Sequence, residues 1–337
     1  MPTRLHPSAR VLWRAPTQAQ FELGSRRLVV DGVDSDVMHA LIGRTPASPD
    51  AQSSTSPRVI SDLQDRLIDA GMLWPAHPDV QWDEDCRRRP PRPRLATELA
   101  ALSTYAGESA ADLLDARQHC RVTILGTGRA GPHVAAVLSA AGVGRVHLVE
   151  TTPAQLRHAV PGGVSPGDEG TPLAAAAQSA MTRGAPDADC LPAPFGEPTD
   201  LVLLADDEPT DAERRDALHA RGRTHLLVRL GGDHGAVGPL VIPGLTSCLR
   251  CTELHRLDRD PAWNALAAQL SVPHRSSGAS EVALATVIAG IAAQQALDFL
   301  DGGYPDTVEG TLEMHRPDYR VRRRSWPAHP ECDCMCP

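Results

Sequence analysis

Arg121 to Glu150, RVTILGTGRAGPHVAAVLSAAGVGRVHLVE, decides how this chain is read. Val122 to Leu125 is a short apolar run rich in β-branched residues. Gly126, Gly128 and Gly131 follow at G-x-G-x-x-G spacing, and Pro132 to Ala141 carries an alanine-rich helical pattern. Val143-Gly144 then leads into a second strand, Arg145 to Val149, that ends on Glu150. Strand, tight turn, helix and acid-ended strand form a nucleotide-binding pattern. Glycines let backbone approach a phosphate, a helix N-terminus offers free N–H groups, and an acid accepts ribose hydroxyls. The same glycines also permit close packing of helix on strand, which needs no ligand.

The 337 residues suffice for two domains. A formal net charge of −9 argues against a general nucleic-acid binder, although Arg87-Arg88-Arg89 and Arg322-Arg323-Arg324 are local basic clusters. The longest apolar stretch, Val282 to Leu300, is interrupted by Gly290, Gln294, Gln295 and Asp298 and reads as a buried helix, not a membrane span. The opening residues lack the pattern of an export signal, so a cytoplasmic protein with no membrane partner is expected. The chain contains no lysine, so every Lys+Arg count is arginine, and its one asparagine is Asn264.

Downstream of Glu150, Thr151 to Gly170 is rich in Pro and Gly and reads as a loop, followed by a helix at Leu173 to Met181. Asp200 to Ala205 is a strand ending in Asp206-Asp207, then a helix near Ala212 to Arg221 leads to a strand at His225 to Arg229. Alternation of strand and helix implies a mostly parallel sheet covered on both faces, with ligands at the carboxyl ends of its strands. A late helix, Glu281 to Leu300, and a strand, Val308 to Met314, complete the pattern.

Cys248 and Cys251 form a C-x-x-C turn, and the tail HPECDCMCP brings His329, Cys332, Cys334 and Cys336. Clustered cysteines in a cytosolic chain suggest metal before disulfide. Two short turns supplying two thiolates each suit a closed structural Zn²⁺ site, with Cys248, Cys251, Cys332 and Cys334 as the expected ligands. Cys336 or His329 could substitute for one of them, and an iron–sulfur centre is the alternative occupant.

The first part, residues 1–75, shows three short alternating strands around Val11-Leu12-Trp13, Gln20 to Leu23 and Leu28-Val29-Val30, with a turn at Gly24. Asp34 or Ser35 could cap a helix over Val37, Leu41 and Ile42, and Thr45 to Ser56 reads as a loop. Ser56-Pro57 opens a second helix carrying Val59, Ile60, Leu63, Leu67 and Ile68, stopped by Gly71. The expectation is a small winged-helix-like α+β module. Residues 76–94 read as a linker, and Leu95 to Arg117 as one or two helices with a break at Gly107.

The segments RLHPSARVLWR, QFELG and LQDRLIDAGML resemble the PqqD-like peptide-recognition modules that begin many ThiF-like proteins of peptide natural-product biosynthesis. The resemblance implies that an extended leader peptide adds a strand to the edge near Leu28 to Asp31, beside the helix from Val59 to Ala70. With GxGxxG, GVGRVHLVE, DLVLLADD, PGLTSCLRC and HPECDC in this order, residues 95–337 resemble the ThiF/MoeB superfamily, relatives of ubiquitin-activating enzymes. The whole arrangement is most similar to the ThiF-like proteins of thiazole/oxazole-modified microcin (TOMM) pathways, which hand a bound precursor to a YcaO cyclodehydratase.

The resemblance further implies a Rossmann-like domain, ATP and Mg²⁺ as ligands, and a homodimer. Gly126, Gly128, Gly131 and Glu150 would hold the nucleotide, and Asp207 or Asp206 the Mg²⁺. The family's Asn and phosphate-binding Lys are missing, Gln155-Leu156-Arg157 is a poor echo of the first, and no cysteine lies between Cys251 and Cys332 to form a thioester. Nucleotidyl transfer depends on positioned positive charge. The expected activity is therefore peptide delivery without efficient adenylation. The alternatives are an adenylyltransferase acting on a peptide or small-protein carboxylate, with Arg129 and Arg157 replacing the absent cations and Asp207 on the metal, and, more remotely, an NAD-dependent dehydrogenase.

Overall fold

The computed structural model describes residues 3–6, 9–34, 37–38, 57–75, 93–188, 199–206, 212–270 and 279–335. Leu41 and Ile42, the segment Thr45 to Ser56, nearly all of the linker, Cys86, Cys190, Asp207 and Cys336 lie outside the described residues. The chain divides into two compact units, Met1–Leu114 and Asp115–Pro337.

In the first unit, β1 (Thr3–Leu5) pairs antiparallel with β5 (Leu73–Pro75), while β2 (Arg10–Ala15), β3 (Gln18–Leu23) and β4 (Arg26–Asp31) form an antiparallel meander. Alternation decides the faces: Ala19, Phe21 and Leu23 of β3 are buried, and Gln18, Gln20 and Glu22 are not. Gly24, at φ +59°, takes the first position of a two-residue hairpin turn, where a side chain would be strained. Asp34 Oδ1 accepts the Val37 N–H at 2.9 Å, so the cap expected at Asp34 or Ser35 is made by Asp34. Helix α1 (Pro57–Asp69) buries Leu63 and Leu67 against Phe21, Val30 and Met72, and Gly71 ends it at φ +63°.

Helix α2 (Ala96–Ala106) and the start of α3 (Ala110–His119) flank Gly107, at φ +60°. The sequence pattern draws a boundary at 94/95, whereas contacts place α2 in the first unit. His6 Nε2 lies 2.9 Å from the Ser103 carbonyl, and Arg26 donates to that of Thr104.

The second unit is built on a seven-stranded mixed sheet in the order β12-β11-β10-β9-β8-β6-β7. Strands β6 (Arg121–Leu125), β7 (Arg145–Val149), β8 (Leu201–Leu204) and β9 (His225–Leu230) are parallel. Strands β10 (His234–Val241), β11 (Gly310–His315) and β12 (Val321–Ser325) extend the sheet antiparallel. The mostly parallel reading thus applies to the half containing the glycine turn.

Two strands of this sheet escape the sequence pattern for physical reasons. Gly235, Gly238 and Pro239 make β10 look like a turn. Yet Gly238, at φ +105°, lets the strand pass where a Cβ would meet the Gly310 carbonyl at 2.3 Å, and a bulge between Val237 and Leu240 absorbs the irregularity. All five residues of β12 are exposed, so no alternation marks it, and its arginines guard an edge.

Helices α4 (Ala130–Ala140), α5 (Leu173–Gly184) and α9 (Val282–Leu300) share one core with β6, β8, β9 and β10. Helix α9 is long and apolar enough to cross a membrane by length and composition, but Leu284, Ala285, Ile288, Ala289, Ala292, Ala293 and Ala296 are buried in that core. The alanines are what allow α9 and α4 to approach closely. Helices α6 (Ala212–Ala220) and α7 (Leu249–Arg259) pack on the other face, through Leu218 and Leu249 against Val202, Leu204 and Leu227, and the short α8 (Trp263–Leu270) follows α7.

Candidate functional site

Three places carry the residues singled out by sequence. The first is the turn between β6 and α4. Strand β6 lies between β7 and β8, so the chain reverses direction across it, which is where open α/β sheets form a ligand crevice. Gly126, Gly128, Gly131, Glu150 and Asp206 all stand at the carboxyl ends of these three strands.

Gly126 takes φ +128°, and a Cβ there would lie 2.5 Å from the Ala205 carbonyl carbon. Gly131 brings α4 onto the sheet, where a Cβ would sit 3.3 Å from Leu148 and 3.4 Å from Ala205. Gly128 donates its N–H to the Ala205 carbonyl at 2.9 Å. All three glycines therefore have a structural duty at the end of β8.

The charged groups here are locally engaged. Glu150 Oε1 accepts the N–H groups of Thr151 and Thr152, both at 2.9 Å. Asp206 Oδ1 accepts the Thr127 N–H at 3.2 Å, and its Oδ2 pairs with Arg214 at 3.0 Å. Arg129 is buried and donates to the carbonyls of Ser280 at 2.6 Å and Ala159 at 2.8 Å, tying the 151–170 loop to the approach of α9. Arg157 is exposed on a short turn, Leu156–His158. In the same turn His158 accepts the Gln155 N–H, and burial followed by the charges of Arg157 and Arg129 holds it down to about 4.

The second place is the cysteine cluster. Cys248 precedes α7, Cys251 lies in its first turn, and Cys332 and Cys334 come from the C-terminal turn. Sulfur separations are 3.8 Å for Cys248–Cys251, 3.6 Å for Cys248–Cys332 and 3.4 Å for Cys251–Cys334, and all four atoms lie within 4.8 Å of one another. A tetrahedron with Zn–S bonds of about 2.3 Å has edges of about 3.8 Å, so the set fits a four-thiolate ion.

Cys251 is held well below the usual thiol range by the Cys248 S–H, with the His329 and Cys248 backbone adding to it, while Cys248 and Cys334 are pushed up. A bound cation would stabilise the ionised form of these thiols. His329 is engaged elsewhere: Nδ1 accepts the Glu331 N–H at 3.1 Å, and Nε2 donates to Asp258 at 2.9 Å. With His255, these residues form a second polar cluster that braces the chain just before Cys332. Its one sequence signal is the His255 and Asp258 pair, three apart on α7.

The third place is the open edge of β4. Leu23 and Arg26 close the hairpin, so the alternate residues Arg27, Val29 and Asp31 turn their main-chain groups away from β3. Arg66 of α1 reaches across and donates to the Val29 carbonyl at 3.2 Å. Val59, one face-repeat from Arg66, is 41% exposed on that side of α1. The strand edge thus offers main-chain bonding groups, with Val59 the exposed apolar residue beside them on α1.

No protein-family model matches the chain, and no curated protein matches it. Solved structures do. E. coli MccB bound to MccA-N7isoASN superposes with a TM-score of 0.73 at 15% identity, over 99% of this chain and 99% of that one. The microcin C7 biosynthetic enzyme MccB in complex with N-formylated MccA gives 0.73 and 15%, covering 99% of this chain and 100% of that one. PaaA gives 0.65 and 16%, over 96% and 99% respectively. At these identities the likeness is one of fold, and it extends across both units of the chain.

Proposed function

We propose that this chain is a zinc-stabilised, ThiF-like carrier that binds a precursor (leader) peptide and presents it to a modifying enzyme such as a YcaO cyclodehydratase, without efficient adenylation of its own. The observation that carries the reading is the β4 edge beside α1. Its outward main-chain groups offer β-strand addition, and Val59 supplies apolar contact for a side chain of the added strand. MccB, which shares the fold, has been solved with the MccA peptide.

Adenylation is argued against by chemistry. The chain has no lysine, and Arg129 is already bonded to two carbonyls. A second reading, adenylyl transfer to a peptide carboxylate, draws on Glu150 and Asp206 flanking the glycine turn, and on MccB having been solved with ATP. In that reading Arg157, and Asp207 beyond the described residues, would serve phosphate and Mg²⁺.

The test is binding of candidate precursor peptides drawn from short open reading frames near this chain's gene, with hydrogen exchange as the readout. Peptide should slow exchange at Arg27, Val29 and Asp31. Val29→Pro removes an outward N–H without touching the β3 pairing, so it should weaken binding about tenfold or more while the fold persists. Undiminished affinity in Val29→Pro would refute the edge as the site.

A further inference from the structure

On the sheet face that carries α6 and α7 lies a cavity of about 250 Å³, between β9, β10, β11 and α7. Its floor follows from register. Ala236 of β10 stands opposite Arg229 of β9 on one side and Glu313 of β11 on the other. The small Ala236 side chain leaves space at the middle strand, and the backbones at Arg229 and Glu313 stand two strand spacings, roughly 10 Å, apart across it.

Arg229 is the unusual group. The residue is half-buried, its Nε is shut off from solvent with no hydrogen-bond partner, and no ion pair holds its guanidinium among the described residues. Burial, with the like charge of Arg256, pushes it down to about 10, which leaves it cationic at neutral pH. The acids whose charge acts on it, Glu253 and Asp206, and Glu313 across the cavity floor are all taken, Asp206 by Arg214 at 3.0 Å. Glu253 accepts from Arg256 at 2.9 Å and from the Trp263 indole, and Glu313 pairs with Arg324 at 3.2 Å and His315 at 3.6 Å. Arg256 and Arg324 both lie against the Trp326 ring, at 5.5 and 5.6 Å from its centroid, and the ring is fixed by its N–H to Thr311 at 2.8 Å.

A largely desolvated charge with no ion-pair partner is costly, and a fold that keeps one gains when a counter-charge reaches it. We infer that this cavity is an oxyanion site, in which Arg229, assisted by Arg256 and Arg324, binds a carboxylate or phosphate group whose stem lies against Leu227, Leu249 and Trp326. The inference is independent of the peptide reading. A glutamate or C-terminal carboxylate of a polypeptide and a phosphate group share the required chemistry, and the probes below separate them.

The experiment titrates the full chain calorimetrically with N-acetyl-L-glutamic acid amide and, separately, with inorganic phosphate, against potassium chloride at matched ionic strength. Saturable heat is expected from at least one probe. The carboxylate alone would assign the pocket to a peptide group, and phosphate alone to a phosphorylated ligand. Arg229→Met should weaken the response about tenfold or more, since a charged hydrogen-bond donor is lost. In anion-free buffer the same variant should melt at or above the wild-type temperature, because an apolar chain replaces an unmatched charge. Arg324→Met, at a half-exposed position on the sheet edge, tests the same site with little risk to folding and should also weaken binding. No saturable heat from either probe, undiminished binding in both variants, or an anion-free Arg229→Met that melts well below wild type would each overturn the inference.

Discussion

The cysteine cluster and the glycine turn sit on one sheet and were both marked by residue spacing, yet their side chains behave in opposite ways. Cys248, Cys251, Cys332 and Cys334 converge with sulfurs 3.4–3.8 Å apart along three edges, a spacing that suits a shared ion. Around the glycine turn each polar group has a local bond: Glu150 to its own following turn, Asp206 to Thr127 and Arg214, Arg129 to two carbonyls. Spacing reports which groups are near one another. Whether they are available to a ligand depends on what else they hold.

The contrast is open to experiment, beginning with the largest effect. Cys251→Ser combined with Cys334→Ser should remove bound zinc, read by elemental analysis as loss of one ion per chain. Structural zinc contributes several kcal/mol, so melting should fall by about 10 °C or more at roughly 2–4 °C per kcal/mol. Wild-type protein purified without zinc and melting unchanged after chelation would remove the ion from the account.

Arg129→Ala should come next. Two charge-assisted hydrogen bonds vanish and the Ala159 and Ser280 carbonyls lose a donor, for a destabilisation of about 2–3 kcal/mol in urea unfolding. If instead stability holds and nucleotide affinity drops, Arg129 belongs to a ligand site and the contrast fails.

The smallest effect concerns acid. The His158 pKa is about 4 when folded and near 6.5 when unfolded, so the unfolded chain takes up the proton first. This contribution is flat above pH 6.5, and stability falls as pH drops from there to about 4. At pH 5 the loss is at most about 2 kcal/mol. His158→Gln should flatten that part of the stability profile, and an unchanged slope would show that other groups dominate.

The sequence makes much of this legible. Apolar patterning locates α1, the helices on either side of Gly107, and the parallel strands β6 to β9, through a regular apolar face or, in β8, an unbroken apolar run. It misses β10 and β12, where glycine accommodates a close crossing and where every side chain faces water. It finds the four cysteines, since metal ligands must cluster on short turns. It does not find the Arg229 cavity. Arg229, Ala236 and Glu313 are brought together by strand pairing alone, and no local pattern records that Arg229 ends up without an ion pair among the described residues.

The central claim is that the glycine turn is a scaffold and the β4 edge the binding surface. The most direct test adds Mg·ATP to the full zinc-loaded chain, first by calorimetry and then by ATP–pyrophosphate exchange with the precursor peptide present. The account predicts peptide binding with exchange at background. Exchange that rises with peptide and is lost in Arg157→Ala would contradict it, and would make this chain an adenylating enzyme.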